Sequence, residues 1–339
     1  MFSALTPSLF AFGLAALAIV VAGSRLAKMA DELADRTGLG EAVFGVLLLA
    51  GVTSLPDFAA TLSAALDARP DLAMSNVMGS MAVNLLFLGI ADIFYRKANL
   101  EHAAASPVNL MLAALLIVLL TLPLLAILTP PLSWWRVHPI TPLIVGAYIF
   151  GLHLVNRTQE RPMWIARVTR ETVPDQPEKH HQGSASRVWG EFVLMATVTG
   201  LAGWVLMEAA KGIADQSGLS DGLVGGLLTA LATSTPELVT TIAAVRLGAL
   251  TLAVSNIFGT NCFNMLVVAA ADAGYAEGSI YHDMAPVQMT WGLISILMTA
   301  ILLLGMVRRE TYGIGRIGFE SALILGVYSV ALTIVVANG

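Results

Sequence analysis

The sequence predicts an all-α membrane protein of ten transmembrane helices, arranged as two inverted five-helix repeats with broken helices at the membrane midplane. Three observations carry this. The 339 residues are 57% hydrophobic and 12% charged, with a mean hydropathy of +0.78, whereas soluble domains carry about 25% charged residues. Apolar runs of about 20 residues, enough to cross a bilayer, recur from end to end. The chain is also written twice: adding 180 to a residue number between Ala22 and Asp92 lands without a gap on its partner between Ala202 and Asp272, with 26 identities in 71 positions. This composition excludes a soluble catalytic domain and offers nothing to a nucleic acid. The single cysteine, Cys262, excludes an intrachain disulfide and reads as a small apolar residue in a helix.

Apolar runs with polar, Pro or Gly boundaries predict helices over 8–35, 39–67, 71–95, 106–128 and 138–157, then 188–212, 219–247, 251–273, 285–307 and 316–337. The first run lacks a basic n-region and aligns with the opening of the second repeat, so it reads as a retained helix rather than a signal peptide. Five crossings per repeat is odd, so the second half enters the membrane from the opposite side and the repeats are inverted. With the N-terminus outside, fifteen of the 18 Lys and Arg residues fall on the inner side, and only Arg69, Arg136 and Lys211 fall outside, which satisfies the positive-inside rule. Both termini are therefore expected outside a plasma (bacterial inner) membrane. Residues 1–157 form the first repeat, 158–187 a cytoplasmic linker and 188–339 the second repeat. The linker reads as a solvated loop: His180 and His181 lack the further ligands a metal site needs, and its acidic residues dilute attraction to anionic lipid. Trp134, Trp135 and Trp189 fall where interfacial anchors belong.

Each repeat holds one polar stretch in apolar surroundings. The first reads Thr53-Ser54-Leu55-Pro56-Asp57 and later Ser80 and Asn84; the second reads Thr233-Ser234-Thr235-Pro236-Glu237 and later Thr260 and Asn264. Proline removes its own amide donor and clashes with the carbonyl four residues back, so the carbonyls of Val52 and Ala232 lose their helical partners. Free carbonyls at membrane depth persist only where protein, water or an ion satisfies them. Ser54 and Asp57, like Ser234 and Glu237, share a helix face at i, i+3; Ser80 and Asn84, like Thr260 and Asn264, do so at i, i+4. If the two broken helices face each other, the eight side chains converge. An oxygen-only set selects hard cations such as sodium or calcium over zinc or copper, and its two carboxylates balance one Ca²⁺ or two Na⁺. Intramembrane acids are costly, and a packing role hardly explains the same cost at the same place twice. Gly79 and Gly259 read as close-packing residues, Asn76 and Asn256 as interhelical hydrogen-bonding residues, and Asp92 and Asp272 as caps near helix ends.

These motifs resemble the alpha-repeats of the cation/calcium exchanger superfamily, in particular bacterial sodium/calcium exchangers, whose pattern G-T-S-L-P-E followed by G-N-x-x-G-S-N-x-x-N/D occurs once in each half. The resemblance implies that Ser54, Asp57, Ser80, Asn84, Ser234, Glu237, Thr260 and Asn264 hold the ions, with main-chain oxygens around Ala50, Thr53, Ala230 and Thr233. It also implies a first and sixth helix that move as a gate over the other eight. The chain departs from the pattern at Asp57, where Glu is usual; at Asn264, where many members carry Asp; at Met81, in place of Asn; and at Ser75 and Ser255, in place of Gly. The expected function is a secondary antiporter that exchanges Na⁺ for Ca²⁺ by alternating access, with an H⁺/Ca²⁺ antiporter of the same fold as the alternative. No bound cofactor and no enzyme activity are expected, and the partners are Ca²⁺, Na⁺ and the lipid bilayer. A monomer is compatible with this reading.

Overall fold

The computed structural model describes residues 4–37, 50–95, 99–104, 106–131, 137–161, 185–248, 250–310 and 318–338. The described residues are all-helical: α1 Leu5–Thr37, α2 Ala50–Thr53, α3 Leu55–Leu66, α4 Pro70–Phe94, α5 Leu100–Ala103, α6 Pro107–Ile127, α7 Ile140–Glu160, α8 Ala185–Ser217, α9 Asp221–Thr233, α10 Thr235–Leu247, α11 Leu250–Gly274, α12 Pro286–Arg308 and α13 Phe319–Asn338. Among the described residues eight helices are long and apolar enough to cross a membrane, or nine if the bent pair α9–α10 is one span. Of the expected second helix, 39–67, residues 39–49 lie outside the described residues, as do Trp134, Trp135, His180 and His181; the linker is described only at its edges.

Local chemistry sets the ends. Pro70, Pro107 and Pro286 open α4, α6 and α12 at positions whose N–H has no helical partner anyway, and Ser106 caps α6 by accepting from the Val108 amide at 3.2 Å. The last residue of α10 is followed by Gly248 in the left-handed region at φ 86°, the usual helix stop. Ala68, 180 residues earlier, takes the same conformation at φ 53° without a glycine's freedom.

The most buried spans are α4 and α11, the two helices that carry the Ser80/Asn84 and Thr260/Asn264 stretches, while α1, α7 and α13 leave about two thirds or more of their apolar windows unburied. The main core gathers on α4 and α11 with α6 and α12 against them. The 33-residue helices α1 and α8 each measure about 50 Å at 1.5 Å per residue, more than the ~30 Å hydrocarbon core. They pack along each other through two separate clusters, Leu26, Leu33 and Phe192, and Ala15, Ile19, Ala202 and Leu206.

Contacts between the halves recur with the 180-residue offset. Asp92 accepts from the amides of Leu100 (2.7 Å) and Gly318 (3.1 Å), and Asp272 accepts from those of Ile280 (3.3 Å) and His138 (2.9 Å). His102 donates through Nδ1 to the Arg309 carbonyl at 2.7 Å, and His282 through Nε2 to the Thr129 carbonyl at 2.8 Å. Asp92 and Asp272 are thus caps, as expected, and each ties the end of its own helix to the start of the last helix of the other half.

Candidate functional site

Pro56 and Pro236 occupy the first turns of α3 and α10. Helix stops at Thr53 and resumes at Leu55 around Ser54; it stops at Thr233 and resumes at Thr235 around Ser234, with a bend of 42°. The breaks put Asp57 and Glu237 in the first turns of the resumed helices. Before the second break, Val224–Thr229 widens into a π-helix, a distortion frequent at functional sites. Two glycines of the long helices press on the prolines: a Cβ at Gly203 would lie 2.6 Å from the Pro56 Cα and carbonyl oxygen, and one at Gly23 2.6 Å from the Pro236 ring. Both pairs obey the same offset.

All twelve sequence-predicted site residues, Ala50, Thr53, Ser54, Asp57, Ser80, Asn84, Ala230, Thr233, Ser234, Glu237, Thr260 and Asn264, are completely buried. Asp57 Oδ1 accepts from Ser80 Oγ at 2.8 Å and from Asn76 Nδ2 at 3.3 Å, and its Oδ2 accepts from Asn264 Nδ2, on the other half, at 3.3 Å. Ser80 Oγ also lies 3.4 Å from Thr233 Oγ1. The polar patches of the two halves therefore meet at Asp57.

Glu237 is held differently. Neither carboxylate oxygen has a hydrogen-bond partner at ordinary distance and angle; Thr53, from the first half, faces it, and the negative charge of Asp57 bears on it. Ser54 Oγ, Ser234 Oγ, Thr260 Oγ1, Asn84 Oδ1 and Asn264 Oδ1 are buried without partners as well. The Ala50 and Ala230 carbonyls, one turn before each break, accept from the amides of Ser54 and Ser234 at 3.0 Å. Asn84 does not reach a carboxylate: its amide donates to Asn261 Oδ1 at 2.9 Å, and Asn261 in turn donates to the Met81 carbonyl at 3.0 Å. Buried oxygens are normally paired. This collection is a set of acceptors around two acids, the environment a hard cation prefers. Among the described residues no group of three or more His, Cys, Asp or Glu is placed to hold a metal ion.

Asn76 bonds between helices, as expected, but its bond ends on Asp57, so it belongs to the site. Thr61, which accepts from the same amide at 3.0 Å, escaped the sequence reading, although it stands one turn beyond Asp57 and recurs as Thr241. The second half does not repeat the arrangement: Asn256 donates to Thr240 Oγ1 at 3.3 Å, and Thr241 Oγ1 is buried without a partner.

The family model described as sodium/calcium exchanger protein matches residues 7–151 and 187–337. The inner membrane protein YrbG of Escherichia coli (strain K12) is 29% identical over 265 residues, 78% of each chain. The sodium/calcium exchanger MaX1 of Methanosarcina acetivorans is 25% identical over 312 residues, 85% of this chain and 87% of its own. A solved structure of the sodium-calcium exchanger NCX_Mj superposes with a TM-score of 0.63 at 18% identity, covering 97% of this chain and 99% of its own, so the two share a fold. A doubled broken-helix motif, a family match over both halves and a shared fold lead to one assignment: this multi-pass membrane protein belongs to the sodium/calcium exchanger family.

Proposed function

We propose that the chain is a secondary active antiporter that exchanges Na⁺ for Ca²⁺ across the membrane by alternating access, with no resident cofactor and no enzymatic step. In this reading ten transmembrane helices form two inverted five-helix repeats, 1–157 and 188–339, joined by a cytoplasmic linker, with both termini outside. The observation that carries it is the burial together of Asp57 and Glu237, one from each repeat, with the unpartnered oxygens of Ser54, Ser234, Thr260, Asn84 and Asn264. A buried carboxylate without a well-formed bond is strongly destabilising, so Glu237 is neutralised either by a cation or by a proton. Hydroxyl, amide and main-chain oxygens from both repeats complete the coordination: Ser54, Ser80, Asn84 and the carbonyls around Ala50 and Thr53 from the first, Ser234, Thr260, Asn264 and those around Ala230 and Thr233 from the second. Because the ligands belong to both repeats, a movement of one repeat against the other remakes the site and changes the face from which it is reached.

Uptake of radiolabelled calcium into sodium-loaded proteoliposomes tests this directly. Uptake that requires internal sodium and disappears in Glu237→Gln is the expected result; uptake indifferent to sodium rejects the coupling. The second reading, with protons as the coupling ion, draws on the contrast between the two acids. Asp57 is satisfied by three donors whereas Glu237 faces Thr53 but makes no bond at ordinary distance and angle, so a proton on Glu237 would serve in place of sodium. Uptake that follows an imposed pH gradient and ignores sodium selects it.

A further inference from the structure

Lys211, near the C-terminal end of α8, is the most deeply enclosed Lys or Arg among the described residues, its side chain 10% exposed. Its Nζ donates to Glu208 Oε1 at 2.7 Å, to Ser63 Oγ at 3.0 Å and to the Ser63 carbonyl at 3.4 Å, and pairs with Asp67. Ser63 lies on α3, whose first turn holds Asp57, and Asp67 caps its end; Ala60 lies between Asp57 and Ser63 along the helix, and all three are buried. Two residues beyond Asp67, Arg69 reaches back with Nε to Asp221 at 2.8 Å and with Nη2 to Asp215 at 2.9 Å. The turn between α3 and α4 is thereby strapped to the end of α8 and the start of α9, with Ala68 inside the strap in the left-handed conformation that disfavours a side chain.

At the equivalent place in the other half this contact cannot recur. Ser63 and Asp67 correspond to Ala243 and Leu247, so α10 has no side-chain oxygen at either position, and Glu208 and Lys211 correspond to Lys28 and Asp31. Arg69 corresponds to Ala249. The turn after α10 passes through Gly248 at φ 86°, where a glycine relaxes the backbone that charges hold in the first half. The first half thus carries this strap, and the second does not.

We propose that Lys211 is a one-sided latch. Its ammonium, seated on α3 above Asp57, holds α8 against the α3–α4 turn and keeps the site closed at this end, the outer face in the orientation proposed above. Opening toward this face requires the ammonium to leave Ser63 and Asp67. The latch therefore biases the carrier toward facing the opposite side, an asymmetry that two matched repeats would otherwise lack. This inference rests on the alternating-access reading, but its test does not use transport.

The test replaces Cys262 by Ala, the residue at the equivalent position 82, and places a single reporter by Ala60→Cys, at a site that is fully buried. The purified protein is treated with a membrane-impermeant methanethiosulfonate, without any ion gradient. Reporter modification is expected to be slow with Lys211 present, at least tenfold faster in Lys211→Met, and faster by a smaller factor in Asp67→Asn, where Glu208 and Ser63 still hold the ammonium. Asp67 is more than half exposed, so Asp67→Asn keeps the question answerable if Lys211→Met does not fold. Equal rates in the folded variants and the parent would overturn the latch and leave the cluster a static brace. A chain whose rates rise but which shows no sodium-driven calcium flux would keep the latch and reject the exchange.

Discussion

Asp57 and Glu237 occupy equivalent positions and differ by one methylene, yet their surroundings are unlike. Asp57 sits among Ser80, Asn76 and Asn264, all of which donate to it; Glu237 faces Thr53 and makes no bond at ordinary distance and angle. The two neutralising substitutions should therefore separate. Glu237→Gln is expected to abolish ion-driven calcium uptake and any calcium-dependent rise in Tm, while leaving the ion-free Tm unchanged or higher, because it removes a buried charge that no bond of ordinary distance and angle offsets. Asp57→Asn should also abolish uptake but lower the ion-free Tm, since both of its oxygens accept and an amide NH₂ must then meet one of the donating side chains, a conflict of about 1–3 kcal/mol. Thermal melting of the two variants with and without calcium checks this, and equal behaviour would mean that the acids are equivalent after all.

The elements behave as matched pairs with unequal tolerances. Gly203 meets the main chain of Pro56, beside Ser54 and Asp57, whereas Gly23 meets only the ring of Pro236. An added methyl at Gly203 has to move the broken helix itself, so Gly203→Ala is expected to cut calcium uptake more than Gly23→Ala, with overpacking costs of about 1–3 kcal/mol; parallel uptake assays on the two variants decide it. The caps at Asp92 and Asp272 act on stability instead. Asp272→Ala strands the His138 and Ile280 amides and leaves the Thr141 hydroxyl only its contact with Tyr281, and each buried orphan costs about 1–3 kcal/mol. A clear fall in Tm is expected, with calcium still raising the Tm of the folded fraction; loss of the calcium response would place Asp272 in the ion path rather than at its edge.

At the scale of the whole molecule, neither half is complete alone. The start of α13 is capped by Asp92 from the first half, the start of α7 by Asp272 from the second, and Asp57 is finished by Asn264. Two chains cut within 162–184 and produced together are therefore expected to co-purify through a tag on one of them, whereas either half expressed alone should be lost. Recovery of a stable single half would contradict this dependence.

Spans, the doubled motif and the burial of the eight polar side chains were legible because each is a local property: hydropathy over about 20 residues, a proline that breaks its own helix, a spacing that sets one helical face; the main-chain positions at Ala50, Thr53, Ala230 and Thr233 came only with the family resemblance. Where the helices are described, the expected ranges differ from them only by a few residues at their ends, as at Thr158–Glu160, which prolong α7. What the two copies do with identical residues was decided by tertiary packing. Asn76 turns to Asp57 while Asn256 turns to Thr240, and Asn84 is drawn away by Asn261, whose equivalent in the first half is Met81. The Lys211 strap joins residues more than 140 positions apart, and no pattern within either segment announces it. A hydrogen bond depends on where a donor's neighbours lie in space, and two near-identical segments acquire different neighbours once they pack on opposite sides of one core. The amino-acid order by itself settled which residues are polar within apolar spans; the packing of one half on the other settled which of them are well bonded, and left Glu237 the less satisfied of the two acids.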